Sequence, residues 1–390
     1  MRLALYLFMF SINFEMFNLL GESGSFSIGR LIGFLYILSM ILVRYRFDFS
    51  GLSSLIYIIM AFFLVVTFSG IINLNETSSK IIDASLFQNI VLFFLFLVHE
   101  RKDPGVLEKS LYAFALGTAC LSAFYLFGIG IEYVGGRLSI FGDNENAVGL
   151  RGAISSAFLI YFVFISGRKM SWKSAVNIAF IGGLLLMMLE TGSRVAFIAF
   201  VLMVVILLVT YLFVDPVKRV LPSLLYSVLV MFFLVPFLLS NNLILERLWA
   251  VGEGDISGRN DIWISYIPAI WRSPLIGYGY SGFEHMSIGI FGEIMSPHNV
   301  IIEVLLYGGF VALVIFMIFN FKVILSALSM CSIEKKYLGA VLLIPYIGLL
   351  SAGQMLDKKI MWFVLAFNCI SLVHDFSAKK NIAEHEQFLK

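Results

Sequence analysis

His298 is the side chain in this sequence best placed to take up a proton. It stands near the end of the one long polar interruption between apolar runs, residues 241–309, in the tetrapeptide Ser296-Pro297-His298-Asn299. Serine followed by proline reads as a helix start, with Ser296 as N-cap and Pro297 at the first helical position. That spacing predicts His298 in the first turn of a membrane helix, at the end where free N–H groups and a partial positive charge gather. Such a field attracts anions and disfavours imidazolium, so the ring is expected to be neutral and able to accept a proton. Asn299, Glu303 and Tyr307 follow on another face at i, i+4 spacing. Glu303 either orients the histidine or pairs with an arginine, and the sequence leaves both open. The plainer alternative for His298 is an interfacial histidine hydrogen-bonded to a loop carbonyl.

The arginines say what such a base would work on. Arg137, Arg194, Arg259 and Arg272 fall in loops on the His298 side of the membrane, while Arg30 and Arg151 fall inside apolar runs near the same side. Arginine in either place is costly and marks function or a specific ion pair, with snorkelling to the interface as the bland reading. Together they fit a shared anionic ligand. Guanidinium groups grip phosphate bidentately, and several suit a diphosphate better than lysines would. Two smaller loops on that side are also polar: Phe141-Gly142-Asp143-Asn144-Glu145-Asn146-Ala147, which caps the next helix, and the tight turn Glu190-Thr191-Gly192-Ser193-Arg194. Capping and turn formation alone account for most of their residues.

The elements that must position these groups are membrane helices. The chain has 390 residues, 60% hydrophobic and 13% charged, with a mean hydropathy of +0.95. Soluble domains carry about 25% charged residues, so an all-α polytopic membrane protein is expected. At about 20 apolar residues per span, about twelve spans are predicted, near 3–20, 27–43, 51–73, 81–98, 111–131, 147–166, 174–190, 195–214, 221–240, 300–321, 337–353 and 360–375. Placing the N-terminus inside gathers most lysines and arginines into the inner loops, as the positive-inside rule requires. Both termini are then cytoplasmic and residues 241–296 lie outside. The organisation is nine spans over 1–240, a large outer loop with amphipathic helices over 241–299, and three spans with a tail over 300–390.

Within the large loop, residues 241–250 read as a short amphipathic stretch. A clearer helix follows Ser257 as N-cap, with Asp261 in its first turn and Ile262, Trp263, Tyr266, Ile267 and Ile270 on one face. Its aromatic residues suit the outer membrane interface. Pro274, Gly277, Gly279 and Gly282 then break regular structure. Glu15 and Asp83 are further acids within apolar runs, without nameable partners. No N-terminal stretch reads as a cleaved signal peptide. The three scattered cysteines imply neither a disulfide framework nor a metal site. No internal repeat appears, which weighs against a transporter built from inverted halves.

These residues resemble the bacterial O-antigen ligase and O-antigen polymerase superfamily of membrane glycosyltransferases. The resemblance rests on Thr191-Gly192-Ser193-Arg194 opening a helix, on Gly258-Arg259 followed by Trp263, and on Ser273-Pro274-Leu275-Ile276-Gly277-Tyr278-Gly279. Pro297-His298-Asn299, with Gly308-Gly309 beyond Glu303, completes it, and the loop over 143–146 looks like a family feature. It is detailed in the second half of the chain and only a pattern of spans in the first. It implies a GT-C-like membrane enzyme of the bacterial inner membrane, with a periplasmic active site and no metal or other cofactor. The reaction implied is inverting glycosyl transfer from a glycan linked to undecaprenyl pyrophosphate. Membrane lipid is the other expected partner, a chain-length regulator protein is a possible one, and nucleic acid is not expected. His298 matches the family's histidine, and Arg194 and Arg259 its phosphate-binding arginines; Arg137, Arg151 and Arg272 are added from sidedness. Asn299 and Glu303 are supporting residues. The sequence leans toward a polymerase of repeat units, with the ligase as alternative. A flippase for lipid-linked sugar and a non-catalytic scaffold are the competing classes.

Overall fold

A computed structural model describes residues 1–17, 27–42, 51–74, 84–165, 171–214, 259–333, 337–352 and 356–373, together with Phe49 and Trp249. In chain order the elements are α1 (Arg2–Ser11), α2 (Ile28–Leu42), α3 (Ser53–Ile72), α4 (Ala84–Lys102), α5 (Val106–Leu126), β1 (Ile131–Val134), β2 (Arg137–Ile140), α6 (Glu145–Ile160), α7 (Trp172–Glu190) and α8 (Arg194–Val214). After residues outside the description come α9 (Arg259–Arg272), α10 (Gly279–Phe291), α11 (Val300–Ile333), α12 (Leu338–Ala352) and α13 (Lys359–Asn368).

Every expected span that falls on described residues carries a helix; 221–240 and the amphipathic stretch at 241–250, Trp249 apart, lie outside them. Among the described residues five helices are long and apolar enough to cross a membrane: Ser53–Ile72, Ala84–Lys102, Glu145–Ile165, Trp172–Glu190 and Val300–Ser332. Arg2–Phe14, Ile28–Leu42, Arg194–Thr210, Leu338–Gly348 and Lys359–Asn368 are shorter apolar helices. The protein is mainly helical, but the all-α expectation misses one hairpin. β1 and β2 pair antiparallel with Val134 opposite Arg137. The turn between them is Gly135-Gly136, at φ 56° and 75°, the two positive φ values that a two-residue hairpin turn demands.

The chain groups into two compact units that interleave along the sequence. The first comprises Met1–Tyr45 and Gly105–Asp255, the second Arg46–Pro104 and Ile256–Lys390. In the first unit α6 is the hub, packed on α5, α7 and α8, while α1 packs on α2 and α5. Small residues allow the close approaches that membrane helices favour. A Cβ on Gly149 would meet Thr191 Oγ1 at 2.6 Å, and one on Gly117 would meet the Phe10 carbonyl oxygen at 2.4 Å. A buried polar string runs through this unit: Ser155 donates to Thr118 (2.7 Å), Thr118 to the Asn13 side chain (2.8 Å), and Asn13 to the Phe114 carbonyl (3.1 Å).

In the second unit α3 lies antiparallel to α11, with the Phe62 and Phe316 rings 5.7 Å apart. α4 runs parallel to α13 through Phe93–Trp362 and Phe96–Phe363 contacts. The expected span 300–321 is instead a 34-residue helix interrupted at Gly309, whose φ of 65° and ψ of −163° are not helical. This conformation is essentially confined to glycine. The interruption is filled by the Ser273–Gly279 run, which docks by its backbone. Phe310 N–H donates to the Pro274 carbonyl (2.7 Å), Val311 N–H to Leu275 (3.2 Å), and Tyr278 N–H to Leu306 (2.7 Å). The glycines of both partners permit the approach. A Cβ on Gly277 would lie 2.7 Å from the Gly308 and Gly309 nitrogens, and one on Gly309 would lie 2.3 Å from the Leu275 carbonyl. On the other side of the run, a Cβ on Gly279 would lie 2.1 Å from the Gly70 nitrogen.

Gly309→Ala is therefore expected to destabilise the protein by ~3 kcal/mol or more, from a forbidden φ/ψ and from overlap with backbone that cannot rotate away. Gly289→Ala in α10, where a Cβ would meet nothing within 4 Å, should be neutral or mildly stabilising. Folded yield and the unfolding midpoint of the detergent-solubilised variants would show the contrast.

Candidate functional site

The second unit builds the surroundings of His298 from α9, α10 and the head of α11. α9 begins with Asp261 in its first turn and ends with Arg272 in its last, both favourable to its dipole. Ser257, its expected N-cap, lies outside the described residues. α10 occupies a stretch expected to be irregular, and its chain reverses at Gly292 (φ 80°). Its register is fixed by Tyr266 of α9, which is fully buried. The Tyr266 hydroxyl shares a hydrogen bond with Ser287 Oγ at 3.0 Å and donates to the Met295 carbonyl. Met295 N–H in turn donates to Ser287 Oγ at 2.7 Å.

From this anchor the chain runs to His298, and here the expected helix start is corrected. Ser296 is not the N-cap and His298 is not helical. Asn299 caps α11, its Oδ1 accepting from Ile301 N–H (2.9 Å) and Ile302 N–H (3.2 Å), and the helix begins at Val300. His298 sits just before the cap with φ 48°, one of two non-glycine residues with positive φ among those described. The left-handed conformation interrupts any helix that Ser296-Pro297 could start, and asparagine is as strong a cap as serine. His298 N–H donates to Ser296 Oγ at 3.1 Å, and Trp263 Nε1 donates to the Pro297 carbonyl at 2.7 Å.

The imidazole is half-buried, and its pKa is lowered first by that burial and second by the Arg259 guanidinium. A neutral ring is thus supported, by causes other than the helix terminus inferred from sequence: the first free amides of α11 are already taken by Asn299. Glu303 is buried in the first turn of α11, as is Tyr307 one turn on, whose ring lies 5.3 Å from that of Phe283. Arg272 is exposed at the end of α9.

The first unit holds the other arginines. Thr191-Gly192-Ser193 forms the tight turn between α7 and α8, with Gly192 at φ 58° and Ser193 Oγ accepting from Ala196 N–H at 3.4 Å. Arg194, half-buried, opens α8. Arg137 reaches the same turn: its Nε donates to the Thr191 carbonyl (3.0 Å), its Nη2 to Asn146 Oδ1 (2.8 Å), and its Nη1 lies 3.2 Å from Glu145 Oε2. Arg151 is only 6% exposed; its Nη2 lies 2.6 Å from Asp143 Oδ2 and its Nη1 donates to the Asn13 carbonyl at 3.3 Å. Both guanidiniums are committed within the protein. Arg151 is thus held in a buried ion pair with Asp143. The loop over 141–147 caps α6 as expected, through Asn144, whose side chain accepts from Asn146 N–H.

Residues 178–317 match the model of a family described as O-antigen ligase. The O-antigen polymerase and ligase superfamily resemblance is borne out. The matched stretch contains Arg194, Arg259, Trp263, Arg272, His298, Asn299 and Glu303, the Ser273–Gly279 run and Gly308-Gly309, and leaves out Arg137 and Arg151. It supports an O-antigen ligase or polymerase type of function in general. No curated protein and no solved structure matches the chain.

Proposed function

We propose that the protein is a membrane glycosyltransferase that joins undecaprenyl-pyrophosphate-linked repeat units of a surface polysaccharide at the periplasmic face of the bacterial inner membrane, by metal-independent inverting transfer. One observation carries the reading. Within the stretch that matches the family, the histidine is half-buried and held neutral by its surroundings, with Arg259 acting on it.

In the reaction, His298 takes the proton of an acceptor sugar hydroxyl as that oxygen attacks the anomeric carbon of the donor. The bond from the anomeric carbon to the pyrophosphate oxygen breaks, and undecaprenyl pyrophosphate leaves with the electron pair. Arg259 stabilises charge growing on the leaving group. Arg194 is given the same task on the resemblance, and Arg272 is a weaker candidate. Arg137 and Arg151 are proposed for the same anion from sidedness, and both also brace the loops of the first unit. The architecture of about twelve spans and its GT-C likeness belong to this proposal too. The description of the matched family favours a second reading, transfer of the finished glycan to lipid A–core.

The lipopolysaccharide profile of a deletion strain tests the proposal. Core plus a single repeat unit means polymerase. Core alone, with long lipid-linked polymer accumulating, means ligase. An unchanged profile sinks both, and lipid-linked substrate retained on the cytoplasmic face points to a flippase.

A pH dependence follows from the same geometry. The neutral ring exists above the folded-state pKa, which burial and Arg259 hold below the ordinary histidine value of 6.5. Activity should therefore persist through neutral pH and fall only as pH drops through that lowered pKa. Arg259→Gln removes one cause of the depression, so the acid inflection of kcat/KM should move to higher pH as the overall rate falls. An inflection that stays put would mean Arg259 has no influence on the ring.

A further inference from the structure

We propose that Trp263 is a positioning residue for His298, acting through its indole N–H on the Pro297 carbonyl; this rests on the reading of His298 as the base. Residues 295–299 pass from one helix to the next without regular structure, and three fixed points set their course. Met295 is pinned at one end by Tyr266 and Ser287. Asn299 is pinned at the other as the cap of α11. Between them, among the described residues, the chain has one further hold from another element, the 2.7 Å bond from Trp263 Nε1 to the peptide oxygen immediately before His298.

That hold falls where the backbone is least inclined to stay. A histidine at φ 48° is in the left-handed region, which costs an L-residue free energy and persists only where its surroundings impose it. The Pro297 carbonyl belongs to the peptide whose orientation sets φ at His298, so an acceptor bond there fixes the direction in which the imidazole leaves the chain. Ser296 Oγ, accepting from His298 N–H at 3.1 Å, fixes the other side of the residue. Trp263 also lies one turn from Arg259 on α9. One helix thus supplies both the charge that acts on the ring and the bond that aims it. Tyrosine or phenylalanine would fill much of the same space, but of the three only tryptophan presents a ring N–H.

The test is kinetic, on the full-length protein purified into lipid nanodiscs with a lipid-linked donor. Trp263→Phe keeps an aromatic ring and removes the donor. The expected result is a kcat lowered about tenfold to a hundredfold, the loss typical of a misplaced reacting group, with KM for the donor unchanged. The acid inflection should move to higher pH as the ring leaves its half-buried place. In a His298→Ala background the same substitution should cause no further loss, because the two act as one unit. Unchanged kcat, a raised KM with kcat kept, or a full additional loss in that background would each overturn the proposal. Should Trp263→Phe not accumulate, Trp263→Met, which also lacks the N–H, carries the test with the same expected split, and a kcat equal to wild type overturns it. His298→Ala with wild-type activity would remove the base assignment itself, a result distinct from any of these.

Discussion

Replacing His298 by alanine is expected to lower glycan transfer by about 10²–10⁴-fold, the usual contribution of a general base, while the protein still inserts and folds. Alanine is an imperfect probe, because φ 48° at this position disfavours any side chain with a Cβ and little else to offer. Asparagine adopts the left-handed region readily and cannot accept the proton. His298→Asn should therefore retain the local backbone and be as inactive as His298→Ala. A gel of lipopolysaccharide from a deletion strain carrying each variant reads the result directly. A full-length ladder from either variant would make the histidine structural and end the mechanism proposed above. An active asparagine variant beside a dead alanine variant would say that the backbone, not the imidazole, is what matters here.

The second large effect concerns Arg151, and it is on stability. Its pair with Asp143 is buried on both sides, at 2.6 Å, and removing one partner of a buried pair leaves an uncompensated charge that costs about 3–5 kcal/mol. Arg151→Ala should lower the unfolding midpoint strongly and Asp143→Ala should do the same, the latter also releasing Asn144 N–H, which now donates to Asp143 Oδ1 at 2.8 Å. Replacing both residues with apolar ones of similar size should cost less than the sum of the single changes, since no orphan charge remains. An arginine that served only to bind pyrophosphate would behave otherwise: stability unchanged and KM raised. Measured unfolding of the three variants separates the two accounts.

What could be read from the sequence was what composition and local spacing control. Apolar runs announced the helices, the polar loop over 141–147 announced a cap for α6, and Thr191-Gly192-Ser193-Arg194 announced the tight turn before α8. His298 was recognisable by its place between a polar loop and an apolar run. Its conformation was not, because Ser-Pro is a good helix start by every local criterion and nothing local says that Asn299 wins the cap. The Asp143 partner of Arg151 was hidden for a different reason. Sidedness weighed the arginines as one group, whereas Asp143, eight residues away, is brought to it only when the loop folds over the head of α6. α10 was obscured by Gly279 and Gly282, which weaken a helical pattern; packing against α3 and α11 overrides them. The tie between Ser273–Gly279 and Gly308-Gly309 is made by backbone atoms, on which side-chain patterns are silent.

That tie bears on how the chain is made. A helix entering hydrocarbon must bring its backbone amides already bonded, since an unbonded one costs several kcal/mol there. Residues 300–333 do not do so alone: the amides of Phe310 and Val311 donate to the carbonyls of Pro274 and Leu275. Those two carbonyls are synthesised earlier than the helix that needs them, so the polar segment must already be at hand when the apolar one leaves the insertion machinery. By this physics the loop would serve as a template for the helix that follows it. The yield that Gly309→Ala forfeits would then be lost at that moment of birth, before there is a finished protein to unfold.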